Sequence, residues 1–194
     1  FASALRSILR QDPDIIMVGE VRDEETVELG IRAALTGHLV FSTIHTNDAA
    51  SGFTRLLNWD VEPFLIASTV KGILAQRLVR RICNECKESY SPNENELEMI
   101  GLDKDDPIEA YKGKGCLACR NTGFKGRIGI YELLLMDGEI SELVLNQEPG
   151  YKIREQARAN GMTTLLEDGL IKIKRGDTTI SEVYETLGTS KIVL

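Results

Sequence analysis

All four cysteines of the chain fall in two Cys-x-x-Cys pairs, Cys83/Cys86 and Cys116/Cys119. A two-residue gap lets a tight turn aim two thiolates at one point, and two such turns supply the tetrahedral sulfur set that zinc favours. Residues 87–115, between the pairs, are polar and charged, and the gap is longer than in a compact zinc ribbon. They are expected to form an excursion that cannot bury a core unaided, so that metal binding stands in for hydrophobic stabilisation. Four thiolates leave no open coordination position, and the expected ion is a structural zinc. Two other uses of the thiols stay open at this point. Disulfides are disfavoured in a reducing cytosol, and a thioredoxin-like redox centre needs one pair where the chain has two. Gly113-Lys-Gly115-Cys-Leu-Ala118 superficially fits a dinucleotide-binding glycine pattern, but it neither follows a predicted strand nor opens a helix.

A second constellation lies nearer the start. Ile15-Ile16-Met17-Val18 is an apolar run closed by Gly19-Glu20, and Leu39-Val40-Phe41 is one closed by Ser42-Thr43-Ile44-His45. In an open parallel sheet, ligands bind outside the carboxyl ends of the strands. If the two runs are neighbouring strands, Glu20, Thr43 and His45 meet at one rim. A carboxylate there can organise Mg²⁺ and water, and a hydroxyl and an imidazole beside it can contact a terminal phosphate. Arg6, Arg10, Arg22 and Arg55 form a third set, with Arg6 and Arg10 at i,i+4 spacing. Guanidinium groups neutralise developing phosphoryl charge, although a solvated basic face has the same spacing.

The elements that must position these groups read as alternating helix and strand. Helical spacing over residues 2–11 ends at Asp12-Pro13-Asp14. Asp23 is a plausible N-cap for a helix reaching Leu35, with Val27, Ile31, Ala34 and Leu35 inward and Gly37 as its stop. The two apolar runs read as strands covered on both faces, and with that helix they make a right-handed strand–helix–strand unit. Helices are predicted at about 47–57 and 63–75, a short strand near Leu78–Ile82, and a strand over 127–135. The tail reads as helices near 139–147, 150–159, 164–175 and 180–187. Thr164 with Glu167 and Thr179 with Glu182 match the capping-box pattern, and Gly161 and Gly176 match stops. The class is α/β.

The 194 residues carry a net charge of −7, with 42% hydrophobic and 27% charged residues. That is ordinary globular usage. The acidic balance argues against general nucleic-acid binding, and no apolar run approaches the roughly 18 residues of a membrane span. A cytosolic location is expected. The chain opens at Phe1 directly into an amphipathic pattern, and it reads as the C-terminal part of something longer.

Asp12-Pro-Asp-Ile-Ile-Met-Val-Gly-Glu-Val-Arg-Asp23 resembles the Walker B region of the type II secretion and type IV pilus assembly ATPases. Thr36-Gly-His-Leu-Val-Phe-Ser-Thr-Ile-His-Thr-Asn-Asp48 resembles their His box. The paired cysteines followed by Thr122-Gly-Phe-Lys-Gly-Arg-Ile-Gly-Ile-Tyr-Glu132 are similar to their metal-binding module and the return into the core. The resemblance implies three parts: the second half of a RecA-like parallel-sheet core over residues 1–82, a tetracysteine zinc module over 83–126, and a return strand with a helical C-terminal subdomain over 127–194. It further implies a hexameric cytoplasmic ATPase, docked on inner-membrane platform proteins and using ATP and Mg²⁺. Glu20 then matches the Walker B glutamate and His45 the His-box residue. Arg6, Arg10, Arg22 and Arg55 match arginines tied to activity or the subunit interface, and Cys83, Cys86, Cys116 and Cys119 match zinc ligands. The chain departs from the family in having no Gly-x-x-x-x-Gly-Lys-Ser/Thr phosphate loop and no acidic box. By itself it is therefore expected to be inactive. The other function class is a non-enzymatic, zinc-stabilised module that binds partners. Its nucleic-acid form is opposed by Glu85, Glu88, Glu94, Glu96 and Glu98, which offset Arg77, Arg80, Arg81 and Lys87.

Overall fold

The computed structural model describes residues 2–105 and 108–188. They divide into two compact units, Phe1–Ala75 with Leu133–Met162, and Gln76–Glu132 with Thr163–Leu194. Among the described residues no helix is long and apolar enough to cross a membrane.

The first unit begins with helix α1 (Ala2–Ile8), which tightens into a 3₁₀ turn over Leu9–Gln11. Strand β1 (Ile15–Val18), helix α2 (Glu24–Leu35) and strand β2 (Leu39–Ser42) follow. As expected, β1 and β2 are parallel neighbours, in the register Ile15↔Leu39 to Val18↔Ser42. Asp23 caps α2 by accepting the Thr26 backbone N–H at 2.9 Å and its hydroxyl at 2.8 Å. Gly37, at φ +101°, ends the helix in a conformation that L side chains resist.

The expectation that both faces of these strands are covered is corrected. Ile16 and Val18 pack with Leu5, Leu9, Leu29, Ala33 and Val40 into one core. Ile15, Met17, Leu39 and Phe41 point the other way and are exposed. Alternation of side chains along a strand makes this unavoidable once helices cover a single face.

Helix α3 (Ala49–Leu57) is capped by Asp48, which accepts the Ser51 N–H at 2.8 Å. Helix α4 (Pro63–Thr69) has Pro in its first turn, where a missing N–H costs nothing. The helix expected to reach residue 75 stops at Thr69, and residues 72–82 become strand β3 (Gly72–Ile82). Pairing with β6 (Phe124–Leu135) outweighs the helical spacing of Val70 and Ile73. A Cβ on Gly72 would stand 2.8 Å from the Leu134 carbonyl, so only glycine permits this approach. Helices α6 (Gly138–Leu145) and α7 (Gly150–Ala159) complete the unit, burying Ile140, Val144, Ile153 and Ala157.

In the second unit, residues 87–113 form strand β4 (Lys87–Tyr90), helix α5 (Glu94–Met99) and strand β5 (Ala110–Gly113). β4 and β5 pair antiparallel. This segment contributes more to a core than its polarity implies, because Leu97, Ile100 and Ala110 are buried. Helices α8 (Leu165–Lys174) and α9 (Ile180–Leu187) supply the packing partners. Thr164 and Glu167 form the expected capping box. At α9 only half of it forms: Thr179 accepts the Glu182 N–H, while the Glu182 carboxylate turns to Arg80. There it accepts the Arg80 backbone N–H at 2.9 Å and Nε–H at 2.8 Å, and the guanidinium lies 4.2 Å from the Phe124 ring.

Burial opposes ionisation of Glu182, but its bonds to Arg80 win and hold its carboxyl below the usual carboxylate range. Such a group stabilises the fold above its unfolded pKa and loses that contribution as pH falls through its lower folded value. Glu182→Gln is therefore expected to cost about 2 kcal/mol at neutral pH, discounted for the half-exposed Arg80. Urea melts checking this should find the gap to wild type closing below about pH 4.

Candidate active site and metal centre

The parallel pairing continues past both strands. The Val21 N–H donates to the Thr43 carbonyl at 2.9 Å, and the Thr43 hydroxyl donates to the Gly19 carbonyl at 2.7 Å. These bonds bring the residues just beyond β1 and β2 side by side. His45 Nε2 lies 3.4 Å from one Glu20 carboxylate oxygen, and an Arg22 guanidinium nitrogen lies 2.5 Å from the other. The Glu20 side chain is 23% exposed and that of His45 is 84% exposed, so the acid is sheltered while the imidazole is open to a ligand. The Arg22 guanidinium, with a smaller contribution from His45, holds Glu20 below the usual carboxylate range. The result is an oriented, ionised carboxylate able to hold a water or a hard cation, with two nitrogen groups beside it.

Of the four expected arginines, only Arg22 joins Glu20. Arg6 pairs with Glu25 at 2.5 Å on α1 and α2. Arg10 lies on the 3₁₀ turn, so the α-helical i,i+4 relation to Arg6 is broken there. Arg55, on α3, lies over the Trp59 ring at 4.9 Å and lines a polar cavity of about 520 Å³ together with His45. Tyr151 and Arg154 of α7 line the same cavity, and sequence reasoning missed both. Their contribution depends on a contact more than a hundred residues away in the chain, and no local pattern announces it.

The four thiols converge within the second unit. Cys83 and Cys116 sulfurs are 3.9 Å apart, Cys86 and Cys119 3.9 Å, and Cys116 and Cys119 3.7 Å, with all four within 4.8 Å of one another. A tetrahedron with metal–sulfur bonds of 2.3 Å has sulfur–sulfur edges of about 3.8 Å, so the cluster fits a four-thiolate metal site. None of the four is in a disulfide. Glycine makes the convergence possible: a Cβ on Gly113 would lie 2.2 Å from the Gly123 carbonyl oxygen. The strands carrying the two turns are joined by Cys83 N–H to Gly123 O at 2.9 Å and Lys114 N–H to Cys86 O at 3.0 Å. Burial opposes ionisation of Cys119, but N–H groups of Cys116 and Gly123 and the neighbouring thiols lower its pKa to about 6. Burial and the other thiols push Cys86 up to about 12. Cys119 thus forms a thiolate readily, while Cys86 gives up its proton only beside a cation. Gly113 and Gly115, which superficially fit a nucleotide pattern, belong to this thiol cluster.

Comparison with known proteins places the whole chain in a family. Residues 1–185 match the family model of the type II/IV secretion system proteins. Over 185 residues, 94% of this chain, it is 52% identical to the type IV pilus assembly ATPase PilB of Thermus thermophilus, covering 21% of that protein. It is 46% identical over 183 residues to type II secretion system protein E of Pseudomonas aeruginosa, again over 94% of this chain and covering 36% of that protein. The chain thus spans roughly a fifth to a third of these relatives. Among solved structures, that of the pilus retraction motor PilT with bound ADP superposes with a TM-score of 0.67 at 28% identity, over 98% of this chain and 44% of that one. The ATPase DotB of Legionella pneumophila shares the fold, with a TM-score of 0.63 at 24% identity, over 95% of this chain and 41% of that one. The match over residues 1–185, with these identities, shows that the chain belongs to the type II/IV secretion system protein family.

Proposed function

We propose that this chain is the C-terminal part of a motor ATPase that drives type II secretion or type IV pilus assembly. The observation that carries the reading is the 3.4 Å approach of His45 to Glu20 at the ends of adjacent parallel strands. Glu20, kept ionised and oriented by Arg22, accepts a hydrogen bond from the attacking water. His45, exposed beside it, contacts the terminal phosphate oxygens and stabilises their charge as the bond to the leaving diphosphate breaks. Mg²⁺ bound with ATP supplies neutralisation of phosphate charge. The Thr43 hydroxyl, bonded to Gly19, keeps the two strand ends in step with the phosphate. Arg6, Arg10 and Arg55 act at the boundary between subunits of a homo-hexamer, where guanidinium groups reach a neighbour's nucleotide.

The chain has no phosphate-loop lysine, so the anchoring of the triphosphate comes from residues outside it. The exposed apolar face of β1 and β2 favours the same view, since Ile15, Met17, Leu39 and Phe41 are what a further layer packed on a parallel sheet covers. The core is assigned to residues 1–82, the metal module to 83–126, and the return strand with its helical subdomain to 127–194. The motor works in the cytoplasm, against inner-membrane platform proteins and without nucleic acid. The four cysteines hold a structural zinc.

In the longer protein, Glu20→Gln is expected to lower kcat for ATP hydrolysis by about 100-fold or more with a small change in KM, measured by steady-state phosphate release. This chain alone is expected to give no turnover. Turnover at the rate of the longer protein would overturn the assignment. Metal analysis of the purified chain should find one zinc per chain, and chelation should lower its melting temperature. Four freely titrating thiols without zinc would favour a redox role instead.

A further inference from the structure

We propose that Arg154, on α7, is a positioning residue that acts through Asp48 to hold the loop carrying His45. The proposal rests on the assignment of His45 as the phosphate-side group. Residues 43–48 have no regular structure of their own, and the His45 side chain is exposed. On one side the loop is tied to the segment just beyond β1 by Thr43, whose carbonyl accepts from Val21 and whose hydroxyl donates to Gly19. On the other side the anchor is Asp48, three residues beyond His45.

The two oxygens of Asp48 do different work. One accepts the Ser51 N–H at 2.8 Å and starts α3. The other meets an Arg154 guanidinium nitrogen at 2.5 Å. The Asp48 side chain is 9% exposed, so its charge is costly to shelter without a cation. The Thr46 hydroxyl, next to His45, donates to the Asp48 carbonyl at 3.1 Å and passes this constraint along the loop.

Helix α7 is built to deliver the guanidinium. Gly150 and Arg154 lie one turn apart on the same helix face. A Cβ on Gly150 would come within 3.0 Å of the Thr54 hydroxyl oxygen of α3, so the two helices meet closely there. Ile153 and Ala157, both buried, fix the rotation of α7 about its axis. A change in the seating of α7 against α3 therefore reaches His45 through a chain of one ion pair, one cap and one short loop.

Hydrogen–deuterium exchange on this chain and ATP hydrolysis by the longer protein test the proposal together. In Arg154→Met, amides of residues 45–51 are expected to exchange about tenfold faster while those of β1 stay unchanged. In the longer protein the same variant should lose about tenfold in kcat with KM for ATP within about twofold, and Arg154→Lys should keep most of the rate. Asp48→Asn retains the cap and removes the charge, so adding Arg154→Met to it should cause little further change. Unchanged loop exchange, an equal rise across β1, or wild-type kcat in Arg154→Met would each overturn the clamp. If the wild-type longer protein hydrolyses no ATP, the functional assignment fails instead, and the exchange result alone decides the clamp.

Discussion

The parallel pairing of β1 with β2 is the constraint on which the rest of the first unit depends. Parallel strands run in the same sense, so their carboxyl ends emerge at one rim and the residues following each must be neighbours. The register Val18↔Ser42 places Glu20 and His45 two and three residues past the last pair. A slip of one residue would exchange the buried and exposed faces, taking Ile16 and Val18 out of the core. Core packing and site geometry are therefore secured by the same register. The bonds from Val21 to Thr43 and from Thr43 to Gly19 extend it into the loops, where no ladder remains.

In the second unit the equivalent constraint is close approach of backbone. Gly113 and Gly123 allow strands to touch where any side chain would hold them apart, and the thiols gather because of it. The cluster is one support among several. Val79, Ile82, Ile130, Ile173 and Val183 are buried in the same unit, and the Arg80–Glu182 pair ties β3 to α9. The unit therefore has a packed core of its own beside the thiols, unlike the smallest folds, which depend on zinc for their stability.

Much of this was legible locally. The caps at Asp23 and Thr164, the stops at Gly37, Gly161 and Gly176, and the strand–helix–strand order each rest on short-range chemistry that sequence displays. Where reading failed, a distant partner had intervened. Residues 70–75 left the helical pattern because β6 offered a ladder, and the Glu182 carboxylate left its own cap because Arg80 offered a charge. Continuous apolarity in β1 and β2 implied two covered faces, while the described residues cover one.

Residue types and spacing alone determined the α/β class, the two pairs of thiols that cluster, and the acid and imidazole that close successive strands, because each is written within a few residues of chain. Tertiary structure alone decided that Arg22 rather than Arg6, Arg10 or Arg55 orients Glu20, and that Arg154 reaches Asp48. An ion pair between residues 106 positions apart obeys no local periodicity. It exists because the packing of α7 on α3 places a cation beside a sheltered carboxylate.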